Sequence, residues 1–349
     1  MRKRFFLLAF LFLGGLSLSS CVQKEATLED YVRHLDFRPG FSLLQLTDIH
    51  WSFSTDRVQA KTYLNALYQA AKANADSHKI DLLVLTGDST MFSSKEITKD
   101  LFDFLASWQV PFTVTWGNHD RQGYYPFSWL ESLLSSYSNS LYVSLQDQLE
   151  GEGNAVIDLD EAGALKWQIY TLDSGSYEQS GTPLRYDYGT LKEKQTAWFE
   201  KEATLAGKVP SLAFFHIPTR DWQDAYAQGK ASKTKWEKNE KICCSEEESP
   251  FFLKAVENNV KGLFCGHDHA NDLTMTYQGV VLGYGVKTGS ELYYAKSLSR
   301  TYAPVGGKTS EPLKLIGGTL LSLHEGGVFD LDHLYLQDDA AHTLVKERY

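Results

Sequence analysis

Cysteine is scarce: the 349 residues hold four, at positions 21, 243, 244 and 265. Cys243 and Cys244 are neighbours, a strained arrangement for a bond, and no spacing matches a zinc finger. Structural thiols rather than a disulfide framework are expected. Positive charge is also short. Lys and Arg number 34 against 44 Asp and Glu, a formal net charge of −10. That balance argues against stable nucleic-acid binding, which needs a basic surface. It leaves a phosphate substrate open, because bound metal ions can reverse the local field. Past residue 20 no apolar run is long enough to span a bilayer. Internal repeats and low-complexity segments are lacking too. What remains is 43% hydrophobic and 22% charged. That is an ordinary globular composition, long enough for one large domain or two small ones.

The first twenty residues stand apart from that composition. Arg2, Lys3 and Arg4 precede an apolar stretch from Phe5 to Leu18, interrupted at Gly14–Gly15. A basic start followed by a short apolar run reads as an export signal. Its ending, Leu18-Ser19-Ser20-Cys21, resembles a bacterial lipobox. The resemblance implies that Cys21 becomes a diacylated N-terminus. The protein would then be exported and held on a membrane through its N-terminal lipid. Three cysteines would be left, an odd number that cannot all pair within one chain. Residues 1–20 are thus read as a signal peptide, 21–40 as a tether and 41–349 as the folded domain.

From residue 41 the chain alternates between strand-like and helix-like segments, which suggests an α/β layer fold. Five apolar strands each run into a polar cluster. Residues 41–47 lead to Asp48-Ile49-His50, and residues 81–86 to Gly87-Asp88. Residues 111–115 lead through Trp116 to Gly117-Asn118-His119-Asp120. Residues 211–215 end at His216, and residues 262–265 at Gly266-His267-Asp268-His269. In such folds ligands gather at the carboxyl ends of strands. Alternate residues of an extended segment point to one side, so the Asp-x-His and His-x-His pairs can each serve a single site. Two divalent ions about 3.5–4 Å apart can clamp the attacking and leaving oxygens of a displacement at phosphorus. Carboxylates, an amide oxygen and imidazoles suit manganese, iron or zinc. Glycines 87, 117 and 266 would let the backbone turn sharply beneath the ions.

Taken in order, the five clusters resemble the calcineurin-like metallophosphoesterase superfamily, over about residues 41–290. The segments LQLTDIHW, FFHIP and GHDHAND look closest to the branch related to the yeast phosphatase Dcr2. The resemblance implies a four-layer α/β/β/α sandwich. It also implies roles: Asp48, His50 and His269 on one metal, Asn118, His216 and His267 on the other, and Asp88 bridging. A metal-bridging hydroxide would attack phosphorus directly, His119 would protonate the leaving oxygen, and Asp120 would orient His119. The chain departs from purple acid phosphatases, which place a tyrosinate ligand three residues after the bridging Asp. Here that position is Met91, and His50 is present where that branch lacks a histidine.

The expected activity is hydrolysis of a small phosphate monoester. A phosphodiesterase and a non-catalytic binding lipoprotein are the rivals. With only about eighty residues after His269, a two-domain 5′-nucleotidase is disfavoured. The motif leaves the oligomeric state open. Asp268 is expected to face away from the metals, and Asn271 and Asp272 to shape the following turn. Asp173 is read either as a support for the site or as a turn cap. Tyr284 and Lys287 are candidates to approach a substrate phosphate. Residues 219–249, rich in Lys, Glu and Trp, are expected to form a surface loop over the site. His34, His78, His324, His333 and His342 are read as surface or packing residues.

Overall fold

The computed structural model describes residues 27–144, 149–179, 186–295, 314–337 and 340–348, with backbone alone for 336, 337 and 340–348. Residues 1–20, read above as a signal peptide, and Cys21 lie outside the described residues. The first half runs β1 (Val32–Asp36), β2 (Phe41–Leu46), α1 (Arg57–Asn74), β3 (Leu82–Thr86), α2 (Lys95–Ala106), β4 (Phe112–Thr115) and α3 (Phe127–Ser135). The hairpin β5 (Ala155–Glu161) and β6 (Ala164–Thr171) follows, then a small one, β7 (Tyr177–Gln179) and β8 (Tyr186–Tyr188). The second half continues α4 (Glu193–Leu205), β9 (Ser211–Phe214), α5 (Arg220–Ala227), β10 (Ser232–Lys235), α6 (Phe251–Glu257) and β11 (Val260–Cys265). It closes with β12 (Thr274–Tyr277), β13 (Val280–Tyr284), β14 (Gly317–Leu323), β15 (Phe329–Gln337) and β16 (Ala340–Arg348).

Two sheets carry the architecture. One has the order β16-β15-β14-β2-β3-β4 and the other β1-β5-β6-β9-β11-β13-β12-β10. The central strands β2, β3 and β4 are buried at every residue. Such uninterrupted apolar runs belong to strands covered on both faces. Leu43, Leu82 and Val84 of the first sheet meet Ile169, Leu212 and Phe214 of the second in one cluster, so the sheets pack face to face. The outer face of the first sheet takes α1 and α2 through Leu64, Leu67, Ala71, Leu101 and Leu105. The outer face of the second takes α4, α5 and α6 through Phe199, Trp222 and Phe251. The layers are therefore α/β/β/α, as the resemblance implied. Each fully buried side chain of this size contributes about 1.5–3 kcal/mol.

Local signals start the helices where expected. Asp56 caps α1, its carboxylate accepting from the Gln59 amide at 3.2 Å, which satisfies one of the free N–H groups of the first turn. Leu64, Leu67 and Ala71 then recur on one buried face.

The tether reading fails for part of 21–40. Val32–Asp36 forms edge strand β1, pairing in parallel with β5. Its pattern of half-buried and exposed residues gave no apolar run to detect. Residues 219–249 also hold more structure than a loop, namely α5 and the edge strand β10, which pairs with β12.

Candidate metal centre

The carboxyl ends of β2, β3, β4, β9 and β11 converge, and the predicted ligands meet there. Asp48, Asp88, His50, Asn118, His216, His267 and His269 are all at least nine-tenths buried. The backbone is bent to bring them in. Asp48 (φ 51°), His50 (φ 54°), Asp88 (φ 50°) and His267 (φ 76°) all adopt the left-handed conformation. Few non-glycine residues do so, and such strain concentrates at functional sites. Gly87 beneath Asp88 has φ 83°, and a Cβ there would lie 2.5 Å from His216 Nδ1. At Gly117 close approach is the constraint, because a Cβ would collide with the Asp88 carboxylate.

Hydrogen bonds fix which atom of each side chain faces inward. The Asp48 Oδ2 accepts from Thr47 Oγ1 at 2.8 Å and from the His267 amide at 3.0 Å. The Asp88 Oδ1 accepts from the His119 amide at 2.8 Å. His216 Nδ1 donates to the Thr86 carbonyl at 2.8 Å, leaving Nε2 to face the centre. The Asn118 amide donates to the Tyr177 hydroxyl at 2.9 Å. The other atoms, Asp48 Oδ1, Asp88 Oδ2, Asn118 Oδ1, His216 Nε2 and His267 Nε2, are buried without a hydrogen-bond partner. Five buried polar atoms left this way would be costly unless they hold a cation.

The distances sort these atoms around Asp88. Its Oδ2 lies 3.7 Å from His50 Nε2 and 3.3 Å from His216 Nε2. Asp48 Oδ1 lies 3.3 Å from His269 Nε2 and 3.6 Å from His50 Nε2. Ligating atoms of Asp48, His50, Asp88 and His269 all fall within 4.8 Å of one another. The His216 and His267 rings sit 5.2 Å apart on the other side. One carboxylate oxygen thus faces two groups of imidazoles, and hard oxygen with nitrogen donors fits divalent ions.

The buried charges act strongly on one another. Burial alone would raise the Asp88 pKa, but the nearby His216, His50 and His119 hold it well below the usual carboxylate range. Burial opposes charge on His216, yet Asp88 and Asp48 lift it to about 10. Burial lowers His267 to about 3, which favours the neutral, metal-ligating imidazole. Lys287 is lowered to about 8 by burial, and its Nζ donates to the Asp48 carbonyl at 2.8 Å. It props the ligand strand rather than reaching for substrate.

His119 lies at the mouth, with its side chain 22% exposed and Nε2 4.0 Å from Asp88 Oδ2. The expectation for Asp120 is corrected here. Its carboxylate does not touch His119. It accepts from the Thr90 and Gly117 amides, both at 2.9 Å, and so ties the β3 loop to the β4 loop. Burial and the charge of Asp88 raise its pKa to about 7. His119 Nδ1 instead meets Gln122 Oε1 at 2.8 Å, a residue that the sequence did not single out.

The neighbouring candidates also find places. Asp268 turns away from the centre and accepts from the Tyr284 hydroxyl at 2.6 Å, which leaves Tyr284 buried and engaged. Asn271 and Asp272 do more than shape a turn. Their side-chain oxygens accept from the amides of Glu237, Asn239 and Glu240. Asp173 pairs with Arg121 at 2.9 Å and accepts from the Gly175 amide, the turn-capping role considered for it. His333 is a buried packing residue, its ring nitrogens meeting Thr319 Oγ1 and the Asp272 carbonyl.

Residues 41–271 match the calcineurin-like phosphoesterase family, and the chain belongs to it. It is 26% identical over 329 residues to probable inactive purple acid phosphatase 29 of Arabidopsis thaliana, covering 82% of each chain. It is 25% identical to the Saccharomyces cerevisiae phosphatase DCR2, covering 66% of this chain and 44% of that one. It is also 25% identical to the Escherichia coli 3′,5′-cyclic adenosine monophosphate phosphodiesterase CpdA, covering 68% and 72%. Among solved structures, a dimetal phosphatase from Danio rerio superposes with a TM-score of 0.52 at 13% identity, covering 89% of this chain and 99% of that one. Family and site together define a metal-dependent phosphoric ester hydrolase.

Proposed function

We propose that the chain binds two divalent ions and hydrolyses a small phosphate monoester, exported and held on a membrane by lipid on Cys21. The observation that carries the chemistry is Asp88 Oδ2, without a hydrogen bond and between His50 and His216. Asp48, His50 and His269 would hold one ion, Asn118, His216 and His267 the other, and Asp88 both. Manganese, iron and zinc all suit these donors. When bound, the ions polarise the phosphoryl group and lower the pKa of water. The protein's own contribution is position. Asp48 and Asp88 are each pinned by one oxygen, and His119 is turned by Gln122 so that Nε2 can pass a proton to the leaving oxygen. The motif sequences around Asp48, His216 and His267 support a place in the branch of DCR2.

A second reading, hydrolysis of a phosphodiester, is favoured by the similarity to CpdA. Rates on p-nitrophenyl phosphate and bis(p-nitrophenyl) phosphate, with added manganese or with chelator, separate the two. A faster monoester that fails with chelator supports the proposal; a faster diester replaces it. Asp88→Asn is expected to lower the rate at least a thousandfold and to reduce bound metal on elemental analysis. Full activity in that variant would refute the assignment of Asp88.

A further inference from the structure

The small hairpin of β7 and β8 stands apart from the two large sheets and, among the described residues, pairs with neither. In antiparallel register Tyr177 lies opposite Tyr188, and Glu178 opposite Asp187. Side chains alternate along a strand, so the two tyrosines share one face and the two carboxylates the other. Each face has its own attachment. On the carboxylate face, Glu178 pairs with Lys192 at the start of α4 at 2.9 Å. Asp187 accepts from the Ser245 hydroxyl at 3.1 Å and from the Glu246 amide at 2.7 Å. An isolated two-stranded hairpin is marginal in water. These side-chain contacts therefore decide where this one sits.

The tyrosine face is turned to the metal centre, and to one side of it. Asn118 Nδ2 donates to the Tyr177 hydroxyl at 2.9 Å. A carboxamide offers an oxygen at one end and a nitrogen at the other. With Nδ2 taken by Tyr177, Oδ1 is the end left buried without a partner. Ser176, just before β7, donates from its hydroxyl to the Asn118 carbonyl at 3.3 Å. Main chain and side chain of Asn118 are thus both held from the hairpin. The Tyr188 ring meets the His267 ring at 4.4 Å and 80°, and lies 5.5 Å from the Tyr177 ring. Asn118 and His267 are two of the residues proposed above for the same ion. Among the described residues, neither tyrosine makes a ring contact with His50 or His269, on the side proposed for the other ion.

We infer that Tyr177 is a positioning residue: by holding the Asn118 amide it sets the affinity for the ion on the Asn118 side and leaves that of the neighbouring ion alone. The inference rests on the two-ion reading proposed above.

The test is manganese binding to the full chain after dialysis against chelator, with the free ion counted by electron paramagnetic resonance. Tyr177→Phe keeps the ring 6.5 Å from His119 and removes only the hydroxyl. Tyr177 is 46% exposed, so the fold should tolerate the change. One of the two dissociation constants is expected to rise about 10–100-fold, the range for losing a group that orients a ligand, and the other to stay within about twofold. Both constants unchanged, or both raised alike, would overturn the inference. Asn118→Ala supplies a second arm. In that background, adding Tyr177→Phe is expected to alter neither the number of ions bound nor their affinity, because the two residues act as one unit. A further tenfold loss there would mean that Tyr177 acts other than through the amide, and would overturn the inference. Two ions bound by the wild-type chain with no effect of Tyr177→Phe would sink this inference alone. Fewer than two ions bound by the wild-type chain would sink the two-ion reading and this inference together, while p-nitrophenyl phosphate turnover judges the monoester reading separately.

Discussion

At the scale of the residue, the site is a matter of which atom of each side chain is already engaged. His119 shows this most directly. It begins the short helical turn Asp120–Gln122, in which residues three apart lie on one face. Gln122 therefore shares the face of His119, while Asp120 turns inward to the backbone. Gln122→Leu should remove the hydrogen bond at 2.8 Å and leave the ligands in place. A fall in kcat of about tenfold is expected, with KM and bound metal unchanged. Steady-state kinetics beside elemental analysis would check it, and an unchanged kcat would show that Gln122 does not position His119. The seven candidate ligands, which the fold brings together, could be picked out in the sequence because their signals are local: short spacings at strand ends. The partner of His119 was not. Chain adjacency pointed to Asp120, and only the geometry of the turn points to Gln122.

At the scale of the element, the strands that lead to the candidate ligands were legible as apolar runs, with helix-like segments between them. Edge elements escaped, since β1 and β10 bury too little to leave a pattern. α5 was hidden in a polar stretch because only Trp222 and Ala225 of its eight residues are buried. The junction between β3 and its ligand is the most demanding of these elements. Gly87→Ala should strain a left-handed turn and push against His216. A loss of roughly 1–3 kcal/mol in stability is expected, with weaker metal retention on dialysis. Wild-type stability together with wild-type metal content would show that the turn can relax.

At the scale of the whole molecule, packing between elements also buries a carboxylate away from the site. Glu202 on α4 is only 6% exposed. Burial, reinforced by the charge of Asp158, raises its pKa from 4.5 to about 7. The folded state therefore holds a proton that the unfolded chain releases near 4.5. The contribution of Glu202 is complete below that pH and is lost as pH rises through about 7. Glu202→Gln should flatten this part of the stability curve and raise the melting temperature at pH 8 relative to wild type. Thermal melts at pH 5 and pH 8 would show it; parallel shifts at both would not fit. The four layers themselves were legible through the family resemblance, whereas burial of a lone carboxylate depends on packing between elements distant in sequence.

The staple between residues 237–243 and the segment after β11 has a further consequence. Its acceptors are the side chains of Asp268, Asn271 and Asp272, beside two candidate metal ligands. Its donors are the main-chain amides of Glu237, Asn239, Glu240 and Cys243. Every residue but proline offers that amide. The path of the strap is thus set largely by the chemistry of the backbone, with Glu240 adding a side-chain bond from the Ala270 amide at 2.6 Å. A substitution at an exposed strap position such as Lys241 would therefore leave that path in place.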